Sequence, residues 1–214
     1  MFHLHPLAHG LIADRSADPW PTRVRGWLTN RLELADEGTH FGYVCQPTCL
    51  RCASGDFRLR EGMYFAVPGD LVLERGAGLV VSRLGHRGLF HLGGPIEQRG
   101  RLRYIDGCTD ALLIPPVLRG DPCLNLLHVP SGTSQTAHTH PSLRVGLIVK
   151  GSGECRTPQG GFPLEASQVF LIEADTPHAF HTVDNELLIV AYHPDSDFGP
   201  THEDHPMRNR TIIR

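Results

Sequence analysis

The sequence predicts a mostly β protein made of two copies of one sandwich- or barrel-forming unit, and three observations point there. Gly and Pro are abundant, 23 and 17 residues in a chain of 214, as many turns between short elements require. From His40 onward, short β-prone runs alternate with Gly, Pro and Asp breaks. The pattern also repeats at an offset of 105 residues.

In chain order, the first element reads as a helix. Residues 12–36 carry Trp20, Val24, Trp27, Leu28, Leu32 and Leu34 at roughly helical spacing, with Pro21 placed for a first turn after Asp18. Strands are then expected around 41–44, 63–67, 78–82, 112–114, 124–129, 145–149, 169–172 and 186–192. At the repeat offset Phe57-Arg-Leu59 falls on Phe162-Pro-Leu164, Tyr64-Phe65-Ala-Val67 on Val169-Phe170-Leu-Ile172, and Asp70 on Asp175. The same ungapped offset sets Phe41-Gly-Tyr-Val44 on Gly146-Leu-Ile-Val149. The pattern breaks at 93–103, which divides the chain into 1–95, a helical segment with the first copy, and 96–214, the second copy with a polar tail.

Composition excludes several partners. A formal charge of −3 without a basic stripe argues against nucleic acid. No apolar run approaches the roughly 20 residues of a membrane helix. The first residues carry His where an export signal needs Lys or Arg, so a cytoplasmic chain with its six cysteines reduced is expected.

The chemistry concentrates in Gly132-Thr-Ser-Gln-Thr-Ala-His138-Thr-His140-Pro-Ser-Leu-Arg144, which runs on to Gly151. On a strand, His138 and His140 project to one side. His178, in Asp175-Thr-Pro177-His178, follows an apolar strand, and an antiparallel neighbour brings it beside the pair. Three neutral imidazoles with open positions suit iron(II) or zinc.

These residues resemble the cupin superfamily. Its first motif runs Gly, five residues, His-x-His, three or four residues, Glu, six residues, Gly. Here Gly132, His138, His140, Arg144 and Gly151 stand at those positions, and Asp175-Thr-Pro177-His178 stands for the second motif. The resemblance implies a double-stranded β-helix, or jelly roll, in two repeats, with one divalent transition metal per chain inside the second. Iron(II) is favoured and zinc comes next. The resemblance covers about 124–192 closely, and the first copy only as a strand pattern.

Arg144 departs from the family, which usually has a carboxylate ligand there. A guanidinium has donors and no acceptor, so the site is expected to be three-histidine. Two readings of Arg144 stay open: a clamp on a substrate anion, or an ion pair with Glu173 or Asp175. His128 and Tyr192 are further candidates to line the site, and His181 is an alternative ligand. At the ungapped offset Glu33, Ala35 and Leu73 replace the three histidines, so the first copy is expected to hold no metal and to serve as a structural or dimerising partner, a homodimer being one outcome. Cys45, Cys49 and Cys52 have the spacing of iron–sulfur ligands but read as ordinary thiols. The ligand-rich tail from His193 is either a solvated extension or a cap. The expected activity is that of a non-haem iron(II) oxygenase on a small polar or anionic molecule. The alternatives are a zinc isomerase, lyase or nitrogen–nitrogen bond-forming enzyme, or a ligand-binding cupin without catalysis.

Overall fold

The structure is a computed structural model and describes residues 1–195 together with 204, 206 and 210. The chain divides into two compact units, Leu7–Glu97 and Met1–Pro6 with Gln98–Arg214. Among the described residues no helix is long and apolar enough to cross a membrane.

The unit Leu7–Glu97 has two antiparallel sheets. One orders His91–Gly93, Tyr64–Pro68, Gly38–Gln46, Ala77–Leu84, Thr22–Leu28 and Gly10–Arg15. The other orders Leu32–Leu34, Leu71–Glu74, Thr48–Cys52 and Gly55–Leu59. Trp27, Leu34, Val44, Leu50, Phe65 and Leu71 are among the side chains that fill its core.

The expected helix over 12–36 is therefore wrong: the segment forms the strands Gly10–Arg15, Thr22–Leu28 and Leu32–Leu34. The apolar spacing that suggested one helix is cut twice, at the turn before Pro21 and at Thr29, whose φ is 58°. Thr22–Leu28 is hydrogen-bonded on both edges, to Gly10–Arg15 and to Ala77–Leu84, and this pairing overrides a local period.

In the second unit the main sheet orders Phe2–Pro6, Gln168–Ile172, Arg144–Thr157, Leu187–His193, Cys123–Val129, Thr109–Ile114 and Leu102–Arg103, all antiparallel. The far half of the long strand Arg144–Thr157 leaves it to pair with Gly160–Glu165 and Ala179–His181. This strand thus serves both walls of one barrel. Leu127, Ile148, Phe170, Phe180, Leu187 and Ile189 lie in its core. The chain's first strand, Phe2–Pro6, belongs to this unit rather than to the first copy, since it pairs with Gln168–Ile172.

The repeat is visible in both units, with a gap the sequence comparison lacked. Gly42 faces Phe65 across its strand pair, and Gly146 faces Phe170. A Cβ on either glycine would stand 2.1 or 2.0 Å from the phenyl ring. The two positions match at an offset of 104, not the ungapped 105. Further along, Leu50 pairs with Phe57 and Leu73 as Cys155 pairs with Phe162 and Phe180. Two residues before Leu73 and Phe180 stand Leu71 and His178, and their cross-strand partners are Leu34 and His138. The first-copy counterparts of His138 and His178 are therefore Leu34 and Leu71, not the Glu33 and Leu73 that the ungapped offset gives; Asp36, two residues after Leu34, replaces Ala35 opposite His140.

Candidate metal centre and ligand cavity

The histidine segment is held as a loop sewn to its neighbour rather than as a regular strand. His138 and His178 exchange two backbone hydrogen bonds of 3.0 Å. Asp175 N donates to His140 O (2.7 Å). One turn away, Gln135 N donates to Phe180 O (3.2 Å), and Phe180 N donates to Gln135 Oε1 (3.0 Å). Asp106 Oδ2 accepts from Thr136 N at 2.6 Å.

This frame brings the three rings together. Their centroids lie 5.0 Å apart for His138 and His140, 4.5 Å for His138 and His178, and 5.2 Å for His140 and His178. Nδ1 of His138 lies 3.0 Å from Thr136 O, and Nδ1 of His178 lies 2.9 Å from Thr176 O. A carbonyl only accepts, so both Nδ1 atoms carry the proton and both Nε2 atoms keep a lone pair. Histidine ligands are commonly oriented in this way. Burial and the neighbouring Arg144 charge keep two of the rings neutral: His140 is pushed well below its ordinary value, and His178 down to about 3.

The donor atoms of the three rings lie within 4.8 Å of one another, the only such group of His, Cys, Asp or Glu among the described residues. An ion about 2.1 Å from each nitrogen needs donors roughly 3–3.5 Å apart, which small ring rotations reach. The residues fit a divalent transition ion.

Arg144 begins the strand next to them and is buried. Its Nη1 donates to Ser142 O (3.2 Å), Ser142 Oγ (2.6 Å) and Leu143 O (3.0 Å). Its Nε has no partner among the described residues. The carboxylate that favours its charge is Asp195, while burial opposes it more strongly. Neither Glu173 nor Asp175, the partners expected from the sequence, is among the hydrogen-bond partners of Arg144, and the Asp175 side chain is exposed. Glu173 meets the N-terminal amine at 3.2 Å and His3 Nε2 at 3.1 Å, and the Asp175 backbone binds His140.

A cavity of about 300 Å³ opens beside His140 and Arg144, and a smaller one of about 40 Å³ lies among the histidines themselves. The larger is walled by His193, Asp195, Asp110 and Asn125, with Leu102 and Leu112 at its apolar side. The His193 ring lies 6.4 Å from that of His140, and burial keeps it neutral as well. Burial pushes the Asp110 carboxyl up to about 6, against the lowering hydrogen bond from Asn125. Of these wall residues, His193 and Asp195 begin the ligand-rich tail that the sequence offered as an extension or a cap, while Asp110 and Asn125 were missed. The signal available was alternation: Cys123, Asn125 and Leu127 share one face of their strand, as Ala191 and His193 share one face of theirs.

The same alternation places two of the expected site residues on the other face. His128 and Tyr192 stand one residue out of phase and line neither cavity. His128 Nε2 instead meets Glu186 Oε2 at 3.0 Å, and Glu186 also holds Lys150 at 3.0 Å. Tyr192 is packed into the interior. His181 lies 3.2 Å from Ser134 Oγ, away from the histidine cluster. All six cysteines are free thiols, and burial pushes Cys45 up to about 12. The tail beyond Asp195 lies outside the described residues except for 204, 206 and 210; of these, Arg210 Nε reaches Asp106 Oδ1 at 3.2 Å.

The AraC-like ligand binding domain matches residues 130–205, the stretch that carries all three histidines. No curated protein matches the chain in sequence. Solved structures similar to it include the protein Ylba from E. coli, 17% identical with a TM-score of 0.65 over 94% of this chain and 93% of that one. A Cupin 2 conserved barrel domain protein from Leptotrichia buccalis is 9% identical, with a TM-score of 0.59 over 90% and 88%. A salicylate 1,2-dioxygenase from Pseudaminobacter salicylatoxidans is 11% identical, with a TM-score of 0.60 over 80% and 70%.

Proposed function

The chain being a cupin by fold, we propose that its second barrel is a mononuclear iron(II) centre of the oxygenase type, acting on a small carboxylate. One observation carries this reading: three imidazoles converge beside a cavity whose wall includes a buried arginine with an unpartnered donor. Bound iron(II) would supply open coordination positions and a redox couple for O2. The chain's own residues do the rest. Arg144, fixed through Nη1 by Ser142 and Leu143, orients the carboxylate by charged hydrogen bonds. Thr136 O and Thr176 O aim two of the ligand rings. Leu102 and Leu112 give the cavity an apolar side against which a hydrocarbon body packs. The salicylate 1,2-dioxygenase with this fold supports the choice of chemistry.

The test is metal analysis of protein purified without added metal or a His-tag, followed by O2 uptake with a panel of small carboxylates. Iron and substrate-dependent O2 uptake are expected. Tightly held zinc with no O2 uptake would replace this reading with Lewis-acid isomerase, lyase or nitrogen–nitrogen bond chemistry at the same residues.

The match to an AraC-like ligand binding domain favours a second reading, a ligand-binding cupin without turnover. The same cavity and the same Arg144 would serve it. Saturable carboxylate binding with no product formed by the iron-loaded protein would select it.

A further inference from the structure

Two residues of the cavity wall each keep a buried polar atom without a hydrogen-bond partner among the described residues, and the two atoms are of opposite kind. Nε of Arg144 is a donor; Oδ1 of Asn125 is an acceptor. Both side chains are more than nine-tenths buried. The Asn125 amide is oriented by its neighbour: Nδ2 lies 3.3 Å from each carboxylate oxygen of Asp110. A carboxylate accepts and does not donate, so the NH2 faces Asp110 and the carbonyl oxygen is the free end. Buried atoms of this kind lose their hydration without return unless a ligand supplies the missing bonds.

Their spacing limits the ligand. Asn125 lies on Cys123–Val129 and Arg144 opens Arg144–Thr157, with the strand Leu187–His193 between them. Asn125 and Gly146 pair with Ala191 from its two sides and Arg144 stands two residues along from Gly146, which puts the Cα atoms of Asn125 and Arg144 roughly 12 Å apart. With both side chains reaching inward, a molecule of one ring or a short carbon chain bridges them.

We infer that this cavity selects a small carboxylate that also carries a hydrogen-bond donor, a hydroxyl or an ammonium group, with Arg144 taking the carboxylate and Asn125, held by Asp110, taking the donor. The inference rests on the anion role of Arg144 proposed above and adds Asn125 as a specificity-determining residue. A site built to bond a hydroxyl disfavours the analogue that lacks it, because the buried acceptor is then left unpaired.

Ligand-observed NMR on the full chain tests it with matched pairs: salicylate and 4-hydroxybenzoate against benzoate, lactate against propionate, and 3-hydroxybutyrate against butyrate. At least one hydroxy acid is expected to bind the unaltered protein about tenfold or more tighter than its partner. This comparison needs no variant. Asn125→Leu should erase that difference while leaving the partner acid's affinity in place, and Arg144→Met should weaken both members. Carboxylates that bind through Arg144 with no preference for the hydroxyl in any pair would overturn the role of Asn125 and leave the anion reading standing. Absence of Arg144-dependent binding by every acid would overturn both.

Discussion

The two barrels of this chain share a strand pattern and differ in what fills it. In the first, Leu34 and Leu71 pair across strands inside an apolar core. In the second, His138 and His178 occupy the same pair of positions and, with His140, form a cluster suited to a metal. The inner positions nearby diverge as well. In the first barrel His40 Nδ1 meets Ser82 Oγ at 2.8 Å, though His40 Nε2 and Trp27 Nε1 are buried without a partner among the described residues, and Glu37 is paired with Arg23 and with Arg25. In the second, Arg144 leaves a donor and Asn125 an acceptor unbonded beside a cavity. An unbonded polar atom therefore does not by itself separate the two barrels; the histidine cluster and the cavity walled by Arg144 and Asn125 do.

The largest expected difference lies at the matched pair. Leu71→Ala should destabilise the first barrel by about 2–5 kcal/mol, because it empties a fully packed site. His178→Leu should shift the stability of the metal-free protein by about 1 kcal/mol or less while removing metal binding. Denaturant unfolding of both variants checks this, and equal losses would erase the distinction between a structural and a functional barrel.

Next comes Arg144. Arg144→Met should leave metal content and fold intact and weaken carboxylate binding by about 1.5–3 kcal/mol, the scale of a charged hydrogen bond. Unchanged affinity with a clearly lower melting temperature would make Arg144 scaffold, like the paired arginines of the first barrel. By contrast, Gly42→Ala and Gly146→Ala should cost alike, about 1–3 kcal/mol each, since the same phenyl contact blocks a Cβ in both units. A large difference between them in thermal unfolding would show that the repeat is not structurally equivalent.

An effect confined to a pH window is expected at Asp110. Burial raises its folded value to about 6 from an ordinary 3.8. The fold therefore prefers the protonated form, and that stabilisation is complete below pH 4 and lost as pH rises through 6. Asp110→Asn escapes the loss, so it should be more stable than the unaltered protein by about 1–3 kcal/mol at pH 7.5, with the gap closing below pH 4. Melting curves across that range check the sign. A gap that widens toward acid would mean the carboxylate is stabilised by the fold rather than strained by it.

How much of this was legible in the sequence follows from what each signal measures. The histidines were readable because His138, His140 and His178 sit in a spaced motif, and the fold followed from turns, short strands and the repeat. The first strands were not readable: Trp20, Val24, Trp27 and Leu32 imitate a helical period, and only hydrogen bonding to Ala77–Leu84 decides against it. His128 and Tyr192 were chosen as polar residues on the right strands but in the wrong phase, and one residue of phase moves a side chain to the other face. Asn125 and Asp110 were invisible because their meaning lies in a contact between two strands. The gaps that align Leu34 and Leu71 with the histidines were also invisible, since few side chains are identical between the copies.

Metal stoichiometry measured on the unaltered chain and on the His138→Ala/His140→Ala double variant tests the central claim most directly. One equivalent of transition metal is expected in the unaltered protein and none in the variant, with the β circular dichroism spectrum of the two unchanged. An equivalent of metal retained by the double variant, or a folded unaltered protein that takes up no iron(II) or zinc when either is supplied, would contradict it.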